Sequence, residues 1–169
     1  MKTVVVDKVA SITQALNLGH ELRIETTDMP CEEGVVLVVE ILTSKSTYNT
    51  LELTSGRMAK VSKGDIIVGA LGHRQALFGY SGHLPTSVKE GDIIQVLNIG
   101  GVLGIVDSAN PDKGKPFDCR VLGVVLQFPY LGERIGVPAK VGYRRLDYNV
   151  QVDTRKVPVV ALAGTCMEA

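Results

Sequence analysis

Apolar residues in this chain fall in short runs separated by glycine or by polar pairs, and the spacing within each run predicts its element. Leu22 to Thr26 alternates apolar and polar residues and predicts a half-buried strand. Gly34 to Leu42 is nearly continuous apolar sequence and predicts a strand covered on both faces. Thr43 to Thr50 is a polar connection rich in Ser and Thr, and Leu51 to Leu53 and Arg57 to Val61 are candidate short strands. Val102 to Val106 and Val121 to Leu126 read as further strands, with Ser108 to Pro116 an exposed loop between them. Gln127 to Tyr143 is broken by Pro129, Gly132, Gly136, Pro138 and Gly142 too often for a helix, and predicts a loop with one short strand. One short helix is expected near the start. Asp7 would cap it, Val9, Ile12, Ala15 and Leu16 would share a face, and Asn17 to Gly19 would end it.

Val61-Ser62-Lys63-Gly64-Asp65-Ile66-Ile67 and Val88-Lys89-Glu90-Gly91-Asp92-Ile93-Ile94 repeat one pattern, Val-x-x-Gly-Asp-Ile-Ile, 27 residues apart. In each, glycine supplies an unusual backbone angle, aspartate bonds its neighbouring amides, and an apolar strand follows. The spacing is too short for two domains and fits two similar corners of one barrel. The expected fold is mainly β: a glycine-rich small β-barrel with one short N-terminal helix and an orphan strand at the C-terminus.

Composition agrees with a folded chain, with 45% apolar and 21% charged residues and a mean hydropathy of +0.18. Lysine plus arginine equals aspartate plus glutamate at 18 each, which leaves no overall electrostatic footprint for nucleic acid or an anionic membrane. No Trp and three Phe argue against a base-stacking platform. Cys31, Cys119 and Cys166 are an odd number without paired spacing, and read as free thiols. The apolar start reaches Asp7 and Lys8 too soon for a signal peptide, and no run matches a membrane span. The cytoplasm is the expected location.

The apolar run Val157 to Ala163 leads straight into Gly164-Thr165-Cys166-Met167-Glu168-Ala169. A strand apolar on both faces followed by glycine permits a tight turn whose amides face a phosphate. This segment resembles the strand and Gly-Thr opening of the phosphate loop in P-loop proteins of the dethiobiotin synthetase-like class. The resemblance implies that Gly164 and Thr165 are phosphate-binding positions, that the chain is a fragment, and that the parent protein uses ATP or GTP with magnesium. The other reading is a natural last strand ending in small residues. Between Val35 and Leu126, the Val-x-x-Gly-Asp turns together with Gly79-Tyr80-Ser81-Gly82 and Gly100 to Gly104 resemble the small β-barrels of translation elongation factor domain II. The resulting division is a barrel domain over 1–143, a linker over 144–156, and the first strand and truncated phosphate loop of a P-loop domain over 157–169.

Candidate chemistry centres on His73 and Arg74, in a glycine-rich stretch where a backbone can approach a ligand closely. His83 is ten residues beyond His73 and would face it across a hairpin. His73, Arg74 and His83 form the candidate ligand pocket, set against the alternative of an exposed hairpin tip. A metal site would need Cys31, Cys119 or Asp107 to converge on the histidines, and no metal is expected. Asn98 to Gly101 reads as a bend at a barrel corner in preference to an anion nest. Ser81 departs from the nucleophile elbow because position 83 is histidine, and Cys119 reads as a buried structural thiol.

The leading expectation is an accessory domain that binds a substrate or partner, itself not catalytic, ahead of a P-loop ATP- or GTP-binding domain. A self-contained ligand-binding or enzymatic barrel and a structural oligomerisation module are the alternatives. Expected partners are the P-loop domain and a possible second copy of the chain, with neither nucleic acid nor membrane.

Overall fold

Val35 to Val39 and Ile41 are all at most 1% exposed, so of the strand Val36–Ile41 only Glu40 reaches solvent. Val35, Leu37, Val39 and Ile41 point into one apolar cluster with Ile67, Leu71, Leu103 and Val121. Val36 and Val38 point into a second with Leu22, Ile24, Val68 and Val125. The period of two along one strand therefore feeds two cores, one on each face of the sheet. The computed structural model describes residues 1–129, 135–142 and Pro158.

The described strands are β1 (Lys2–Val5), β2 (Lys8–Val9), β3 (Glu21–Glu25), β4 (Val36–Ile41), β5 (Thr50–Glu52), β6 (Met58–Lys60), β7 (Ile66–Leu71), β8 (Tyr80–His83), β9 (Ile93–Val96), β10 (Val102–Ala109), β11 (Asp118–Gln127) and β12 (Val137–Pro138). The main sheet runs β1-β3-β11-β4-β7-β10-β8. In addition β2 pairs with β7, β12 with β11, and β9 with both β10 and β11. β5 and β6 form a separate two-stranded sheet. Most pairs are antiparallel; β7 is parallel to β2 and β10. The fold is mainly β, as expected. No helix among the described residues is long and apolar enough to cross a membrane.

The repeated Val-x-x-Gly-Asp sequence folds twice in the same way. Gly64 and Gly91 both have φ of +90°, which glycine tolerates without strain. The Asp65 carboxylate accepts from Ser62 N at 2.7 Å, and that of Asp92 from Lys89 N at 2.8 Å. Each turn then docks on a strand: Gly64 N donates to Ile41 O and Gly91 N to Val121 O, both at 2.8 Å. Ile41 and Val121 sit one residue beyond Glu40 and Arg120, which face each other in the antiparallel β4–β11 pair. An approximate two-fold axis through the Glu40–Arg120 pair therefore relates the two corners.

The expected N-terminal helix is corrected in type and start. Lys8 and Val9 pair with Ile67 and Val68 instead of opening a helix, and a 3-10 helix follows over Ser11–Leu16. Asp7 caps nothing there; its carboxylate accepts from Ile66 N at 2.8 Å. Ala10 is the N-cap, and Asn17 ends the helix in the left-handed conformation at φ 50°. The loop expected from Ser108 starts later, because β10 continues to Ala109 before a 3-10 turn at Pro111–Lys113. The 144–156 linker, Gly164, Thr165, Cys166 and, apart from an exposed Pro158, the Val157 to Ala163 strand lie outside the described residues.

Candidate binding cleft

Gly34 ties three segments together at one end of the sheet. Its amide donates to Leu71 O at 2.7 Å and its carbonyl accepts from Val141 N at 2.8 Å. A Cβ here would stand 2.9 Å from Val141 O, and φ is +87°, so only glycine lets the 140–142 segment approach so closely. Lys140 is fixed from outside by Glu32, whose carboxylate lies 2.6 Å from its ammonium. That hydrogen bond holds the Glu32 carboxyl below the usual carboxylate range.

The result is a cleft of about 560 Å³ between the end of β7 and the 140–142 segment. Leu71, Ile12, Val102 and Val141 supply an apolar lining, and Glu33, His73 and Lys140 add polar groups. A second concavity of about 360 Å³ adjoins it across Ile12 and Val102. It is more polar: Ser11 Oγ donates to Glu52 Oε2 at 2.7 Å, and Asn98 Oδ1 accepts from Val102 N at 3.0 Å. Between them Asn98 to Gly101 is a tight turn, with Gly101 N bonded to Asn98 O at 3.2 Å.

Arg74 and Gly82 exchange both backbone hydrogen bonds at 2.9 Å, which sets His73 and His83 opposite each other across the hairpin. Both histidines are exposed. His73 lines the cleft, and His83 Nδ1 lies 2.7 Å from Asp107 Oδ1. The Arg74 side chain turns inward instead. Its guanidinium donates to the Leu97 carbonyl and to Tyr48 Oη at 3.4 Å, and it packs under Gly79. Among the described residues no three His, Cys, Asp or Glu side chains gather as a metal site. Ser81 Oγ bonds Ala76 N and O at 3.1 and 3.3 Å, closing the hairpin. Cys119 is fully buried, and burial pushes its thiol pKa far up, the behaviour of a structural cysteine.

Arg74 borders a group that the sequence pattern does not announce. The Lys45 ammonium lies 4.8 Å from the centre of the Tyr80 ring, 5.3 Å from that of Phe117 and 5.5 Å from that of Tyr48. It also donates to Tyr80 Oη. Burial lowers the pKa of this amine and raises that of the Tyr80 phenol. Lys45 and Tyr48 share one polar loop, but Tyr80 comes from β8 and Phe117 from just before β11, so only the tertiary fold assembles the group. No family model, curated protein or solved structure matches the chain.

Proposed function

We propose that this chain is a substrate- or partner-binding module set ahead of a P-loop ATP- or GTP-binding domain, and that the 560 Å³ cleft is where it binds. The observation that carries the reading is the cleft's composition. One wall is the end of β7, and the other is Lys140–Gly142, the stretch from which the chain continues toward Val157 to Thr165. A ligand seated there touches the segment that leads into the nucleotide-binding sequence, so binding and nucleotide state can be coupled through a short connection. The nucleotide half of the proposal rests on the sequence, a doubly apolar run followed by Gly164-Thr165.

The architecture belongs to the same proposal. We read β11, β4, β7, β10 and β9 as a small barrel, supported by β9 pairing at once with β10 and β11. The adjoining concavity around Ser11, Glu52 and Asn98 favours a second reading, a self-contained module for a small polar ligand.

Hydrogen exchange on the natural gene product, with and without Mg-ATP or Mg-GTP, tests the leading reading. Protection at 157–165 with altered exchange at 33–34, 71–73 and 140–142 is the expected result. Nucleotide binding with no change at the cleft would remove the coupling. No nucleotide binding at all would remove the P-loop reading and leave the self-contained module.

A further inference from the structure

The group around Lys45 has the chemistry of an aromatic cage for an organic cation, with the chain's own lysine inside it. Three ring faces or edges surround one ammonium at 4.8 to 5.5 Å, within the roughly 6 Å over which a ring quadrupole attracts a cation. Besides the bond from Lys45 to Tyr80 Oη, the walls make contacts of their own. Tyr80 is 1% exposed, and its one hydroxyl proton is shared between Lys113 O and Gly114 O, at 3.0 and 3.1 Å. Phe117 is 4% exposed. Tyr48 meets Tyr80 edge-on at 5.6 Å between ring centres, from a backbone held at φ 51°. The site is thus built before the cation arrives.

Lys45, by contrast, sits in the polar stretch between β4 and β5, which carries no strand pairing of its own. A tethered ligand of this kind competes with any free ligand of the same chemistry, and weakens apparent affinity by the fraction of time it occupies the site.

We propose that Lys45 is an internal stand-in for an exogenous organic cation, of the quaternary or methylated ammonium class, which displaces its side chain from Tyr48, Tyr80 and Phe117 into solvent while Tyr48 stays in place. The site lies apart from the cleft and does not depend on the nucleotide reading.

Tetramethylammonium chloride serves as the probe, with sodium chloride at equal ionic strength as the control. Binding is read from aromatic proton shifts, and Lys45 release from its acetylation rate by mass spectrometry. The expected results are that Lys45→Ala binds the probe at least tenfold more tightly than wild type, and that saturating probe speeds Lys45 acetylation severalfold. Tyr48→Leu, which removes one wall of the cage and its edge contact with Tyr80, should lose binding in the Lys45→Ala background. Absence of binding in folded Lys45→Ala overturns the proposal. So does binding to Lys45→Ala that leaves acetylation of wild-type Lys45 unchanged, because Lys45 is then a fixed structural cation.

Discussion

The two Val-x-x-Gly-Asp corners have the same backbone and different surroundings, which makes them a controlled pair for mutation. Asp92→Ala removes the acceptor for one turn amide, Lys89 N at 2.8 Å. At an exposed turn the loss of such a charge-assisted bond costs about 1 kcal/mol. Asp65→Ala removes the equivalent bond to Ser62 N, and also the partner of Lys8, whose ammonium is 2.7 Å away. The Lys8 and Asp65 side chains are only 16% and 18% exposed, so the lysine would be left largely buried without its counter-ion. That adds about 1–2 kcal/mol. Asp65→Ala should therefore lose about 2–3 kcal/mol against about 1 kcal/mol for Asp92→Ala. At roughly 2–4 °C per kcal/mol, the gap is several degrees in Tm. Urea unfolding followed by circular dichroism gives both values, and Lys8→Met in each background closes a double-mutant cycle. Equal losses at the two corners, or a Lys8→Met cost that is the same with and without Asp65, would refute the reasoning.

Gly101→Ala should cost at least ~2 kcal/mol, since its φ is +91° and the new Cβ would stand 2.2 Å from Ala10 Cβ; Gly56→Ala, with φ +78° but open space, should cost about 1 kcal/mol in the same unfolding assay. The Glu25 carboxyl is held down from 4.5 to about 2, first by the Thr26 amide, then by the N-terminal ammonium and the Thr27 amide. Its folded pKa lies below its unfolded one, so its stabilisation is fully present above the unfolded value and is lost as pH falls through the folded value. Glu25→Gln should flatten the acid limb of the stability curve between about pH 5 and 2, and an unchanged limb would show that other carboxylates set it. A thiol reagent followed by peptide mapping should leave Cys119 unmodified in the native protein and label it only on unfolding, while partly buried Cys31 reacts measurably but slowly.

What the sequence discloses is what local chemistry decides. The two corners are legible because a glycine with positive φ and an aspartate three residues from the amide it accepts are fixed within one turn. β4 is legible because a strand apolar on both faces has few other places to go. The helix start is misplaced because Lys8 and Val9 are claimed by β7, more than fifty residues later, a partner no local signal contains. His73, Arg74 and His83 are neighbours along the hairpin, yet alternation sends Arg74 inward to Leu97 O while both histidines stay outside. Apart from His73, which lines the cleft, neither the cleft nor the Lys45 cage is legible. Each joins segments that meet only after the sheet has formed.

The position of β11 bears on how the chain is made as well as on what it becomes. This strand borders β3, β4 and β9, so three earlier strands await one that is translated after them. Val125 pairs with Ile24 and Cys119 with Ile41. The 86 residues from Ile41 to Gln127 take roughly 4–17 s to synthesise at about 5–20 residues per second. Until β7 is made both edges of β4 lack a partner, and from then until β11 follows one edge still does, an arrangement prone to joining a neighbouring chain. A slower ribosome between these two points lengthens that exposure and should lower the yield of the same final fold.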